Sequence, residues 1–367
     1  MKILLAPDSF KGTLTALQVC QIIRDELQET FTVDSHPLAD GGEGTLLALA
    51  ACLTSAQWIK HLVCGPLPSQ PVEAAYLWLP ESQVAVVEMA QASGLTLLTP
   101  SEQNPELTTT YGTGELITQA LARHPQKVIL ALGGSATNDA GLGMLMALGW
   151  QCLDANSDAI PLGGQGLSRL QQIIPPSDFK LPPVELWSDV TNPLYGPQGA
   201  AYVYGPQKGA DSAMVERLDL GLRNVAQILK QETGFEANFP GAGAAGGLGA
   251  GAVWGLQAQL KSGFQAIAEL TGLEQKLQAC DLVITGEGFL DVQSWQGKVV
   301  SGVWQLAQKY GKPLVILAGQ SSFEHYPGVA QIISLVGPDI SAEQACQSPA
   351  SALKQRCQEL KKSLVWT

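Results

Sequence analysis

Lys2-Ile3-Leu4-Leu5-Ala6-Pro7-Asp8-Ser9-Phe10-Lys11-Gly12-Thr13 opens the chain with an apolar run, a polar loop and the approach to a helical pattern. Residues 3–6 read as a buried strand that ends at Pro7, since proline fixes its backbone and donates no hydrogen bond. Over 15–27 the apolar residues Leu17, Val19, Ile22, Ile23 and Leu27 keep roughly helical spacing. Thr13 or Thr15 stands where a cap for that helix belongs. Strand, polar loop and helix make half of a βαβ unit. The loop falls at the strand's C-terminal end, where open α/β sheets bind ligands.

The same order returns further along. Strands are expected at 84–89, 127–132 and 186–189, and helices at 109–121, 140–148 and 211–230. The last of these helices carries Met214, Leu218, Leu222, Val225 and Leu229 on one side. Towards the C-terminus, strands at 281–284, 313–318 and 332–336 alternate with helices at 299–310 and 349–360. Such alternation predicts an α/β protein with a parallel sheet covered on both faces. The N-terminal unit and the C-terminal third are expected to share one sheet. This gives a discontinuous domain of residues 1–65 and 275–367, an inserted second α/β domain of residues 66–274, and a cleft between them.

Composition narrows the function. A chain of 367 residues exceeds one typical core, and 46% hydrophobic content marks it as globular. The net charge of −12 makes nucleic acid and anionic membrane surfaces poor partners. An anionic substrate must then find local positive potential, and Lys11, Lys208 and Lys298 lie beside glycines in loops. The seven cysteines are scattered without C-x-x-C spacing, which reads as reduced thiols. The four histidines lack zinc-site spacing. No apolar run approaches the ~18 residues of a membrane span. The N-terminal apolar run is too short for a secretory signal, so a cytoplasmic location is expected. A homodimer is one assembly the sequence allows.

Six loops crowd glycine against polar side chains, a pattern suited to phosphates, Mg²⁺ and proton transfer. In the first, which also carries Asp8, Lys11, the Ser9 hydroxyl and the backbone N–H groups of the helix that follows could hold an anion, or Asp8 or Ser9 could merely cap that helix. In Asp40-Gly41-Gly42-Glu43-Gly44-Thr45 the two carboxylates could share a Mg²⁺, or they could be first-turn anions of a helix over 46–53. Gly133, Gly134, Ser135, Thr137 and Asn138 could cradle phosphate ahead of a helix that Asp139 caps. Asp189 is a candidate general base or metal ligand beside Asn192, with an Asx-turn as the alternative. Gly241-Ala242-Gly243-Ala244-Ala245-Gly246 fits G-x-G-x-x-G, but no strand precedes it, so a dinucleotide fingerprint is rejected. A glycine-lined wall against substrate or nucleotide remains for that segment. Gly286, Glu287 and Gly288 read as a loop after a strand, with Glu287 towards a nucleotide ribose or a metal. There is no Walker A motif and no G-x-S-x-G elbow.

Taken in order, the motifs at 2–12, 39–45, 133–143, 188–194 and 283–288 resemble those of the bacterial type-1 glycerate kinases, nearly end to end. The resemblance implies ATP-dependent phosphorylation of D-glycerate, usually at the 2-hydroxyl. It also implies two α/β domains, one flavodoxin-like with a doubly wound parallel sheet and one with a mixed sheet, and an active site in the cleft between them. Asp189, Asp8 and Lys11 are then the expected catalytic groups. Ser9, Lys11, Asn192 and Gly243 are the expected glycerate-binding residues. Residues 133–138 and 286–288 are candidate ATP loops, and Asp40 and Glu43 are the Mg²⁺ candidates. A kinase for another short hydroxy or sugar acid, or a non-catalytic organic-acid sensor, are the competing functions.

Overall fold

A computed structural model describes residues 1–295 and 297–365. The chain opens with strand β1 (Lys2–Leu5), helix α1 (Ala16–Leu27), β2 (Thr32–Ser35) and α2 (Thr45–Cys52). The hairpin β3 (Gln57–Cys64) and β4 (Pro71–Leu79) leads to β5 (Val84–Glu88) and the short α3 (Ala90–Ser93). Next come α4 (Tyr111–Leu121), β6 (Lys127–Ala131), α5 (Leu142–Ala147), β7 (Gln151–Leu153) and β8 (Gln172–Ile174). Then follow β9 (Val184–Trp187), α6 (Ala200–Tyr204), α7 (Ser212–Thr233), α8 (Ala244–Gly255) and β10 (Gln259–Lys261). The C-terminal third holds α9 (Gly263–Thr271), α10 (Leu273–Gln278), β11 (Leu282–Leu290), α11 (Val299–Lys309), β12 (Leu314–Ser321), β13 (Gln331–Ser334), α12 (Ala342–Gln347) and α13 (Pro349–Val365).

These elements form two compact units. The first comprises residues 1–40, 47–54 and 262–367, and the second residues 41–46 and 55–261. In the first unit five strands run in the order β13-β12-β11-β1-β2, all parallel. Counted by their appearance within that unit, the order is the flavodoxin-like 2-1-3-4-5. The N-terminal βα unit and the C-terminal third therefore share one sheet, the pairing that periodicity alone left open. One face of the sheet packs Ile3, Leu5, Ile284 and Leu317 against Val19 and Ile23 of α1 and Leu353 and Leu360 of α13. The intervening Leu4, Val283 and Ile316 are fully buried as well. By strand alternation they point to the other face, where α9, α10 and α11 pack on one another. Burial on both faces explains the unbroken apolar runs of these strands.

The second unit is built on a six-stranded sheet in the order β10-β9-β6-β5-β4-β3. Its β3, β4 and β5 pair antiparallel in turn, while β5, β6, β9 and β10 pair parallel, so the sheet is mixed. Its core joins Val87, Leu130 and Leu186 of the strands to Leu116, Leu145, Leu222 and Leu248 of the helices.

Local chemistry sets several boundaries. Thr15 caps α1, and Gln18 reciprocates by accepting the Thr15 N–H at 2.9 Å. Asp211 caps α7 by accepting the Met214 N–H at 2.8 Å. Two expectations need correction. Residues 286–288 do not form a loop. They continue β11, because Gly286 and Glu287 keep pairing with Leu317 and Ala318 of β12. Asp139 does not cap α5, whose N-cap is Gly141 with no side-chain bond.

Candidate active site

In the first unit the loop after β1 is drawn over the end of β11. The Asp8 N–H donates to the Gly286 carbonyl at 2.9 Å, and the Thr285 hydroxyl donates to the Ala6 carbonyl at 2.7 Å. Asp8 is 7% exposed, and its Oδ1 accepts the Ser9 N–H at 2.6 Å. Lys11 Nζ reaches Asp40 Oδ2 at 2.9 Å. Burial pushes the Asp8 carboxyl up to about 7, reinforced by the Asp40 charge and opposed by Lys11. Partial burial acts to lower the Lys11 pKa, but Asp40 and Asp8 outweigh it and hold the ammonium well above the usual lysine range. Glu287 is likewise raised by burial, against the pull of a Ser294 hydrogen bond, Lys298 and Lys11. Its Oε1 is buried without a hydrogen-bond partner among the described residues.

Three carboxylates and a lysine therefore meet at the C-terminal ends of β1 and β11. This is the place where the strand order reverses, and open α/β sheets bind their ligands there. Beside it opens a cavity of about 390 Å³, with Asp8, Lys11, Glu287 and Lys298 among its lining residues. Lys298 lies at the N-cap of α11. Among the described residues no group of three or more His, Cys, Asp or Glu side chains could hold a metal ion by itself. Mg²⁺ rarely uses an all-protein cage and is usually held by one or two carboxylates together with substrate phosphates. The carboxylates present suit that role.

The second unit gathers the other predicted residues. Gly133, at the end of β6, lies so close to the loop 41–46 that a Cβ there would sit 2.4 Å from Gly42 Cα. Glu43 accepts from the Thr96 hydroxyl at 3.5 Å. Lys208, 2% exposed, donates to Ser135 Oγ at 2.6 Å and to the Thr137 carbonyl at 2.7 Å. Burial lowers its pKa to about 7 although Asp139 acts to raise it. The hydroxyl of Thr137 and both amide atoms of Asn138 are buried without partners among the described residues.

Asp189 follows β9, and the adjacent Ser188 Oγ accepts the Val190 N–H at 3.2 Å. Asn192 is tied down: its Nδ2 donates to the Gln198 carbonyl at 2.8 Å and its Oδ1 accepts the Tyr204 hydroxyl at 2.7 Å. Its carbonyl accepts the Gly243 N–H at 3.0 Å, which brings these two predicted residues together. Sequence reasoning missed Asp139 as a hub. Its carboxylate accepts the Thr110 N–H at 2.7 Å and the Thr110 hydroxyl at 2.9 Å, the Thr109 hydroxyl at 3.2 Å and the Gly141 N–H at 3.1 Å. It also missed Glu88, whose buried carboxylate accepts the Gly44 and Leu46 N–H groups at 3.2 and 3.0 Å. The available signal was a lone acid closing the apolar run Val84-Ala85-Val86-Val87-Glu88.

A flavodoxin-like sheet with acids and a lysine at its switch point, in a chain that also holds a second α/β unit with a glycine-rich strand-to-helix loop, defines a two-unit α/β protein of the small-ligand-binding class. Comparison with known proteins narrows the class. The sequence profile of the Glycerate kinase family matches residues 3–365. An uncharacterized protein of Synechocystis sp. is 57% identical over 366 residues, covering 99% of this chain and 98% of that protein. Glycerate 2-kinase of Escherichia coli (strain K12) is 42% identical over 348 residues, with 92% and 91% of the two chains covered. A crystal structure described as glycerate kinase 2 from Salmonella typhimurium LT2 superposes with a TM-score of 0.82 at 37% identity, covering 99% of this chain and 98% of that one. The chain belongs to the glycerate kinase family.

Proposed function

We propose that the protein transfers the γ-phosphoryl group of ATP to D-glycerate at the 2-hydroxyl, giving 2-phosphoglycerate and ADP. The observation that carries the reading is the convergence of Asp8, Lys11, Asp40 and Glu287 at the β1–β11 switch point. The resemblance to the Escherichia coli enzyme named glycerate 2-kinase supports the choice of hydroxyl. Phosphoryl transfer asks a protein for in-line positioning and charge stabilisation more than for covalent chemistry. The substrate oxygen attacks the γ-phosphorus, the bridging β–γ P–O bond breaks and ADP leaves. Asp8, with a pKa near 7, is suited to take the hydroxyl proton. Lys11 offsets developing negative charge, and Ser9 is a donor beside it. Asp189 is the second candidate for orienting the hydroxyl, with Asn192 and Gly243 near glycerate. Gly133, Gly134, Ser135, Thr137 and Asn138 are candidate phosphate contacts, as are Gly286 and Gly288, with Glu287 towards the nucleotide ribose or a metal. Mg²⁺ bound to the nucleotide would neutralise phosphate charge, with Asp40 and Glu43 as its candidate protein ligands.

The test is ATP consumption in the presence of D-glycerate, followed by phosphorus NMR of the product. A 2-phospho signal is expected. Glycerate-independent ATP loss, a 3-phospho product, or preference for another hydroxy acid in a substrate panel would overturn the corresponding part. Binding of glycerate without turnover would identify a sensor instead.

A further inference from the structure

The cavity beside Asp8 has two chemically different halves. One is charged, with Asp8, Lys11, Glu287 and Lys298. The other is apolar, walled by Phe10, Leu335, Val336, Ala342, Ala345 and Pro349 from the β1 loop and the chain around α12. Phe10 is 2% exposed and Leu335 1%, so these are fixed walls. About 390 Å³ lies within the range of sites that enclose drug-sized ligands. A three-carbon hydroxy acid is far smaller, and it has no apolar surface to set against the second half. Placing its carboxylate there would strip the charge of water without a partner. A nucleotide has both kinds of surface, a flat heterocycle at one end and a polyphosphate at the other.

We infer that this cavity is the nucleotide seat: the apolar half takes the base of a nucleoside triphosphate, and the phosphates run towards Lys11 and Lys298. The inference rests on the proposed kinase reading only in requiring a nucleotide donor. Three further features agree. The cavity stands at the strand order's reversal, the ligand position of this sheet class. Buried Glu287 Oε1 lacks a partner among the described residues and is available to a ligand donor. Gly288 and Gly319 form a floor of bare backbone, since a Cβ on Gly319 would lie 2.4 Å from the Gly288 carbonyl oxygen.

Cys346 lines the cavity and supplies a reporter in the unaltered protein. It is exposed, whereas the other cysteines are buried or half-buried. Alkylation by N-ethylmaleimide, followed at the Cys346 peptide by mass spectrometry, is expected to slow at least about tenfold with saturating ADP. D-glycerate alone is expected to leave the rate within about twofold. Protection by glycerate but not ADP, or by neither, overturns the inference. A second arm fills the apolar half with Ala345→Trp. The KM for ATP is expected to rise at least about tenfold while the KM for glycerate stays within about twofold and the Tm is retained. The reverse pattern overturns the assignment. If ADP protects Cys346 but glycerate elicits no ATP consumption, the nucleotide seat stands and the glycerate reading fails.

Discussion

Asp8 is a single residue whose burial bears on stability and on its proposed role alike. Its folded pKa of about 7 lies above the ordinary 3.8, with burial the largest cause. Folding therefore favours the protonated form. The stabilisation is complete below the unfolded pKa and is lost as pH rises through about 7. In the proposed role of proton acceptor Asp8 must be ionised, so kcat/KM is expected to climb through about pH 7 and then level. Asp8→Asn is expected to lose about 10²–10³ in turnover, as when one positioned polar group is removed from an active site. The same variant should be more stable than wild type above pH 8, in urea melts, because it carries no buried charge there. Turnover within a few-fold of wild type would remove Asp8 from the mechanism. Lys208 makes a different case. Lys208→Met keeps the stem but leaves Ser135 Oγ and the Thr137 carbonyl unpaired, and is expected to cost ~1–3 kcal/mol for each orphaned group in urea unfolding. The glycine beside Lys208 made it stand out in sequence, but nothing local disclosed its partners, which lie more than seventy residues away.

Among the elements, α8 begins in an unusual way, with Ala245, Gly246 and Gly247 all at positive φ. Gly246 presses on the 133–139 loop so closely that a Cβ would meet the Thr137 carbonyl oxygen at 1.9 Å. Gly246→Ala is therefore expected to cost well over the ~1–2 kcal/mol of left-handed strain alone. Gly234, which ends α7 at φ 74° with open space around it, is expected to cost only that strain as Gly234→Ala. Thermal unfolding of the two variants checks the contrast, and equal losses would show that the close approach does not matter. The repeated strand-and-helix order was readable because burial on both faces leaves unbroken apolar runs, as in residues 128–131. The hairpin β3–β4 was not, since β3 is an edge strand with Trp58 and Leu62 exposed and no clean alternation of polar and apolar residues. Residues 286–288 read as a loop because glycines usually break strands. Here β12 alongside keeps β11 paired through them.

For the whole molecule, a net charge of −12 has to be reconciled with anionic reactants. Lys11 and Lys298 supply local positive charge at the first unit's cavity, but Asp8, Asp40 and Glu287 stand beside them. The polyphosphate is therefore expected to enter as its Mg²⁺ complex. Excess EDTA should abolish ATP consumption, and added Mg²⁺ should restore it; full activity in EDTA would refute a metal requirement. From sequence alone came the α/β class, most of the polar loops at strand ends and the family resemblance; the sharing of one sheet by the two chain ends was an expectation that only the strand pairing decided. Periodicity, strand-ending proline and glycine-rich turns are all local, and a local pattern survives without coordinates. Tertiary structure decided that Asp8 sits beside Glu287, that Asp139 seats the start of α4, that Lys208 tethers Ser135 and that residues of the motif-free C-terminus wall a cavity. Those pairings depend on which segments the packed sheets bring together across hundreds of residues, and the same proximity and burial set the protonation of the buried acids.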